Sequence, residues 1–230
     1  MASGNVRVGI AQMDCVVGDV AANLETVERF ARQARREGCD FVVYPELSMS
    51  GYAVGMGFAE ASLTPDCREV RMLRKLSREI GLSIGFIEET EDTEFFNSAM
   101  FLHDGRIRHV HRKVYLPNYR VFDERRHYGM GHTVRAFDTP WGRMAILICG
   151  DAWHLSMPYL AVHDGADIIL TLAASSRQGL SPDINVHAAW ERLNQTCALS
   201  LTSFVVFANR VGSEVLKGND TRLDFWGGSH

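Results

Sequence analysis

Short runs of consecutive apolar residues alternate along this chain with longer stretches in which apolar side chains recur every three or four positions. Residues 6–12 begin apolar and end polar, which predicts a strand; over residues 23–36, Leu24, Val27, Phe30, Ala31 and Ala34 fall on one helical face before Gly38 supplies a stop. Phe41-Val42-Val43 predicts a short buried strand that ends at Tyr44-Pro45-Glu46, because proline cannot donate to a continuing ladder. The helical spacing returns over residues 65–80 through Val70, Leu73, Leu76 and Ile80, and Gly81 separates it from an apolar strand over 82–87.

Two hairpins follow. Runs at 97–102 and 106–110 flank His103-Asp104-Gly105, and Asp-Gly between two strand-like runs is a strong turn signal. Runs at 134–138 and 144–148 flank Pro140-Trp141-Gly142. A helix over 157–163, a strand over 168–172, a helix over 186–199 and a strand over 204–208 complete the pattern, and residues 225–230 read as the start of a further strand and turn. Strands and helices that alternate, with hairpins inserted, predict an α/β fold with mixed sheets. No repeat, low-complexity tract or linker interrupts the 230 residues, so residues 1–230 read as one domain.

With 46% hydrophobic and 23% charged residues, the composition is that of a globular chain and excludes disorder and collagen. The formal charge of −4 gives no basic field for nucleic acid or anionic lipid, so the expected partner is a small molecule. Five cysteines with no CxxC pair read as thiols in a reducing compartment. Neither a leader pattern nor an apolar run of about 18 residues is present, so a cytoplasmic location with no membrane partner is expected.

Three ionisable groups stand at strand ends, where α/β folds place sites: Glu46, Lys113 and Cys149. A cysteine reacts as its thiolate and needs a base or cation nearby. Glu46 is suited to be the base, and Lys113 to face an oxyanion beside the Gly150 N–H. On spacing alone, Cys149 reads first as a small buried hydrophobe, Glu46 as a loop cap and Lys113 as a solvated charge beside Arg112. His109, His111 and Arg112 read as a solvated basic cluster, since no further ligand is spaced for a metal. His187 and Glu191, one helical turn apart, read as a surface pair. Met56-Gly57-Phe58 reads either as a flap over a pocket or as a plain packed loop.

The local wording changes this picture. Tyr44-Pro45-Glu46-Leu47 with Gly51-Tyr52, His111-Arg112-Lys113-Val114-Tyr115-Leu116-Pro117, and Ile148-Cys149-Gly150-Asp151-Ala152-Trp153 resemble, in order, the Glu, Lys and Cys signatures of the nitrilase, or carbon-nitrogen hydrolase, superfamily. Gly165-Ala166-Asp167, Ala208-Asn209-Arg210-Val211-Gly212 and Trp226-Gly227-Gly228-Ser229 are similar to further landmarks of that family. The resemblance implies a four-layer α-β-β-α sandwich of the nitrilase type with mixed sheets, and a homodimer or higher homo-oligomer packed through one helical layer. It implies no metal or organic cofactor, and a Cys-Glu-Lys triad that cleaves non-peptide C–N bonds. On that pattern Glu46 takes the proton of Cys149, the thiolate attacks an amide carbonyl, and Lys113 with the Gly150 N–H holds the oxyanion. Ammonia leaves, and water activated by Glu46 hydrolyses the thioester. Glu124 is the better match to the family's second acid, Asp123 the weaker.

Residues 113–128 also resemble the glutaminase domain of glutamine-dependent NAD synthetases. By that resemblance Tyr119 and Ser176 line the pocket at the amino-acid end of the substrate, with Tyr52, Trp153 and Arg177 near it. A guanidinium suits a carboxylate, though Arg177 reads equally as an exposed loop residue. Three departures stand out. Gly150 occupies a position usually acidic in that branch, Ala174-Ser175-Ser176 lacks a common proline, and no Ser-Gly-Gly-x-Asp-Ser loop is present. Members of the superfamily usually continue past the Gly-Gly-Ser segment, so the chain reads as one that ends early. The expected activity is hydrolysis of a small carboxamide. The alternatives are an N-carbamoyl (ureido) substrate, a glutaminase-like subunit feeding a separate synthetase, or a non-catalytic use of the fold.

Overall fold

The apolar runs of the first half close into one sheet. A computed structural model describes residues 5–216 and 220–230; residues 1–4, on which the expectation about a leader falls, lie outside them. In chain order come β1 (Val8–Ile10), α1 (Val20–Arg36), β2 (Phe41–Val43), β3 (Ser62–Leu63), α2 (Arg68–Leu76), β4 (Gly81–Glu89), β5 (Phe95–His103) and β6 (Arg106–Arg112). The sheet order is β1-β2-β4-β5-β6, parallel through β4 and antiparallel beyond it, with β3 pairing parallel to the far end of β4.

The second half contributes β7 (Phe137–Thr139), β8 (Gly142–Ile148), α3 (Ser156–His163), β9 (Ile168–Ala173), α4 (Val186–Leu201), β10 (Phe204–Asn209), β11 (Val211–Val215) and β12 (Arg222–Trp226). Strands β10, β9 and β8 run parallel, β7 closes antiparallel on β8, and β11 and β12 form a separate antiparallel pair.

Alternation on both sheets puts apolar side chains on both faces, so each sheet needs two partners. Phe41, Val43 and Phe101 of the first sheet meet Ile146, Ile148 and Leu170 of the second in a shared core. Leu24 and Val27 of α1 and Leu73 of α2 cover the first sheet's other face, while Met157 of α3 and Trp190 of α4 cover Leu147, Ile169 and Phe207. This is the four-layer α-β-β-α sandwich. Side-chain caps start two helices: the Asp19 carboxylate accepts from Ala22 N, and the Asn185 carbonyl from Ala188 N.

Three expectations shift at the ends. The helix foreseen over 65–80 shortens to α2, because Cys67, Arg78 and Glu79 donate in three-residue turns to Thr64, Lys75 and Leu76. The strand foreseen over 134–138 starts only at Phe137, with Val134 packing instead toward the α3 side. Residues 225–230 do not open a new strand. Phe225 and Trp226 finish β12, and His230 exchanges main-chain hydrogen bonds with Phe207 on the free side of β10.

Candidate active site

Glu46 is aimed inward by the way β2 ends. Tyr44 still donates to Ser83 on β4, and its phenol is tied to the Val27 carbonyl at 2.8 Å; Pro45 then turns the chain across β4. Gly85 makes that crossing possible, because a Cβ there would lie 2.5 Å from Pro45 O and Leu47 N. Leu47 follows with φ 49°, a strained conformation for a leucine, and Glu46 itself is buried.

The carboxylate gathers three segments. Glu46 Oε1 accepts from Lys113 Nζ at 2.6 Å and from Asn97 Nδ2 at 2.8 Å, and Oε2 accepts from Ala174 N at 2.8 Å. Lys113, just past β6, is wholly buried; its N–H donates to the Asn97 carbonyl and its own carbonyl accepts from Gly131 N. Its ammonium also donates to Glu124 Oε1 at 2.8 Å, and that oxygen accepts the Tyr52 phenol at 2.7 Å. Glu124 Oε2 is buried without a partner.

Cys149 follows β8 with φ 42° and opens a single 3-10 turn, Cys149–Trp153. Its thiol lies beside Glu46, whose charge acts on it. Burial pushes the thiol well above its ordinary pKa, Glu46 adds to the rise and Lys113 opposes it, so the resting group is a neutral thiol beside a carboxyl group. For Lys113, burial works against the charge, but Glu124 and Glu46 outweigh it and the ammonium is held firmly protonated. Burial raises Glu124 to about 7 against the pull of Lys113. A thiol, a carboxyl group and a fixed ammonium therefore converge, a set of groups suited to acyl-transfer chemistry.

Over the thiol lies a narrow chamber of about 40 Å³, walled by Tyr119, Phe122, Gly150, Trp153, Ser176 and Trp190 among others. Beside it opens a cleft of about 560 Å³ that reaches Tyr52, Glu124 and Tyr128, and Tyr119 and Phe122 stand in the walls of both. Of the residues singled out in the sequence, Cys149, Gly150, Tyr119, Trp153 and Ser176 meet at the chamber, and Glu46, Lys113, Glu124 and Tyr52 form the hydrogen-bonded cluster beneath it. Arg177 joins neither group. It is exposed, its N–H donates to the Asp224 carbonyl, its charge acts on the Asp224 carboxylate, and it lines neither cavity. Gly150 packs so closely that a Cβ would lie 2.7 Å from Tyr115 O, and the Ser176 hydroxyl is buried without a partner.

The reading of the His109-His111-Arg112 cluster as solvated needs correction. His111 is buried with Nε2 2.8 Å from Asp151 Oδ2, His109 stacks on Phe137, and Arg112 pairs with Glu88 over the Phe96 ring. The signal was present: Ile107, His109 and His111 alternate on the inward face of β6. His187 and Glu191 pair at 3.5 Å with both side chains about half exposed, as read. Phe58 packs edge-on against Phe95, while Met56 projects to solvent. Asn97 and Asp151 were given no role from sequence, although an amide inside the apolar run of β5 marks a buried polar site. Among the described residues no cluster of three His, Cys, Asp or Glu side chains is arranged to hold a metal, and no helix is long and apolar enough to cross a membrane.

Comparison with known proteins places this geometry in context. The family described as carbon-nitrogen hydrolase matches residues 7–230. A glutamine-dependent NAD(+) synthetase from Acinetobacter baylyi is 27% identical over 90% of this chain, which spans only 38% of that protein. An N-carbamoylputrescine amidase from Solanum lycopersicum is 25% identical over 96% of this chain and 77% of its own length. An amidase from Nesterenkonia sp. AN1, solved with the acetamide moiety of fluoroacetamide added covalently at its active-site cysteine, superposes with a TM-score of 0.83. It is 20% identical, over 100% of this chain and 82% of that one.

Proposed function

The chain belongs to the carbon-nitrogen hydrolase family, and from that premise we propose that it is an amidase that hydrolyses a small carboxamide through a thioester on Cys149 and releases ammonia. One observation carries this reading: Glu46 holds the Lys113 ammonium at 2.6 Å in a buried cluster whose charges act on the Cys149 thiol, and Cys149 lines a narrow chamber.

Substrate enters as a neutral amide. Glu46 accepts the thiol proton as sulfur bonds to the carbonyl carbon, and the charge that develops on oxygen meets the Lys113 ammonium and the Gly150 N–H. Glu46 returns its proton to the amide nitrogen, the C–N bond breaks and ammonia departs. Water then loses a proton to Glu46, attacks the thioester, and the acid leaves as the thiol is restored. Glu124 keeps Lys113 oriented and protonated throughout.

The likeness to the NAD(+) synthetase supports a second reading, a glutaminase-like subunit that hands ammonia to a separate synthetase. The likeness to the N-carbamoylputrescine amidase supports a ureido substrate, which the same triad would cleave. Pairing of two copies through the helical layer is supported by the exposed Leu155, Tyr159 and Leu160 at α3, Leu199 on α4 and Phe204 on β10. Five free cysteines support residence in a reducing cytoplasm.

The test is ammonia and CO2 release from a panel of short aliphatic amides, glutamine, asparagine and N-carbamoyl amino acids, comparing wild type with Cys149→Ala. Ammonia without CO2, from wild type alone, is expected. CO2 with ammonia selects the ureido reading, weak glutamine turnover stimulated by a synthetase selects the subunit reading, and no turnover by folded wild type on any arm overturns the amidase.

A further inference from the structure

Asp151 is the most heavily engaged carboxylate near the thiol, and it touches neither Glu46 nor Lys113 directly. It is wholly buried. Oδ1 accepts from Val114 N and Tyr115 N, each at 2.9 Å; Oδ2 accepts from Ile148 N at 3.1 Å and lies 2.8 Å from His111 Nε2. A carboxylate only accepts, so His111 presents its Nε2 proton there. Val114 and Tyr115 immediately follow Lys113, Ile148 immediately precedes Cys149, and His111 lies on β6 two residues before the lysine.

A carboxylate at the third position of a helical turn ordinarily caps the turn's own first N–H. The Ile148 bond does that. The other three contacts leave the turn and cross to the chain around Lys113, which a cap does not need. Among the described residues no main-chain hydrogen bond joins residues 113–117 to residues 148–153, so this carboxylate is the polar link between them. The lysine's own peptide group is pinned to the first sheet side through the Asn97 carbonyl and Gly131 N. Close packing removes slack, since there is no room for a Cβ at Gly150 against Tyr115 O.

We infer that Asp151 is a positioning residue that fixes the Lys113 ammonium relative to the Cys149 sulfur, with His111 as its buried support. The inference rests on the proposed roles of Cys149 and Lys113. Around the thiol, Glu46 and Glu124 disfavour the thiolate, the Tyr119 and Tyr52 phenols are uncharged neighbours, and Lys113 is the group that favours it. Loss of the Asp151 link therefore has a defined readout: the thiol becomes harder to ionise as Lys113 drifts from it. Asparagine at this position keeps the shape but has one acceptor oxygen for four donors, so at least one N–H loses its partner.

The experiment follows the rate of iodoacetamide alkylation at Cys149, located by peptide mass mapping, against pH in wild type, Asp151→Asn and His111→Gln, with thermal melts of each. For a folded Asp151→Asn the alkylation profile is expected to move up by about one pH unit, which lowers the rate at neutral pH about tenfold, while the other cysteines react as before. His111→Gln, which removes one of the four contacts, is expected to move the profile in the same direction by less, and serves as the decisive variant should Asp151→Asn fail to fold. A lowered melting temperature with an unmoved profile in the folded variants overturns the inference. A moved profile in a protein that releases no ammonia from any amide upholds the positioning role and counts against the amidase reading alone.

Discussion

Glu46-Lys113-Glu124 and Asp14-Arg210-Glu214 are both clusters of one base between acids, built on a buried cation, yet they spend their bonding capacity differently. Arg210 is wholly buried beneath Phe225, donates to Glu214, Asp14 and the Cys15 carbonyl, and the Glu214 carboxylate also accepts from Tyr52 N and Ala53 N. Both oxygens of Glu214 are occupied, the one unpartnered polar atom named for Arg210 is the donor Nε, and the cluster acts as a clamp between β11 and the loop after Glu46. In the other cluster Glu124 Oε2 is free, Asn97 Oδ1 is free, and the thiol of Cys149 lies beside Glu46 and lines a cavity. Burying a charge is costly in either place. What marks the Glu46-Lys113-Glu124 cluster as a site is the spare acceptor capacity and the adjacent space, not the burial.

The sharpest way to break that distinction is to remove the cation from each cluster. Lys113→Met is expected to lower kcat by about 10²- to 10³-fold or more, since the charge facing the oxyanion is gone. Arg210→Met leaves Glu214 buried without its base, at a cost of about 3–5 kcal/mol in stability. It is expected to turn over much as wild type does when assayed well below its lowered melting temperature. Equal losses of kcat from the two folded variants would erase the contrast.

Next in size is Glu124→Gln, with an expected fall of about 10²-fold in kcat. It also carries a pH signature. The Glu124 carboxyl is raised from 4.5 to about 7 in the folded protein, so the native state binds the extra proton between those values. Its contribution to stability is complete below the unfolded pKa and is lost as pH rises through about 7. Melting temperatures measured from pH 4.5 to 7.5 should therefore decline less steeply in Glu124→Gln than in wild type; parallel curves would contradict the environment described for this acid.

Tyr52→Phe is the mildest probe, because Tyr52 touches both clusters, by its N–H to Glu214 and by its phenol to Glu124. Loss of one hydrogen bond of about 0.5–1.5 kcal/mol should reduce kcat a few-fold and leave the melting temperature close to that of wild type. The reverse pattern, a large loss of stability with kcat untouched, would assign the phenol to the scaffold.

The sequence made one cluster legible and hid the other for physical reasons. Glu46, Lys113 and Cys149 sit where apolar runs stop, and Pro45 marks the stop, so local patterning and family wording converge on them. The four layers follow from runs too apolar to leave either face of a sheet in water. Asn97, Asp151 and Glu214 act across 51, 37 and 162 residues of chain, to Glu46, Val114 and Tyr52, and no local pattern encodes such a meeting. His111 was legible in principle from the alternation of β6, but its charge-rich neighbours drew it toward solvent. β11 was missed and β12 was touched only at Phe225 and Trp226, because Val211–Val215 and Arg222–Trp226 are short and half polar, and only the pairing between them reveals the strands. Arg177 shows the opposite failure, a chemically apt side chain that the backbone turns away from the chamber.

The central claim is that Cys149 carries the acyl group between loss of ammonia and attack by water. Its most direct test is to quench the enzyme during turnover of a simple aliphatic amide, weigh the intact protein, and map the adduct. The account predicts a mass increase equal to the acyl group, on Cys149 alone, with one ammonia released for each adduct formed and no adduct in Cys149→Ala. Ammonia release by wild type with Cys149 unmodified throughout, or equal turnover by Cys149→Ala, would contradict it.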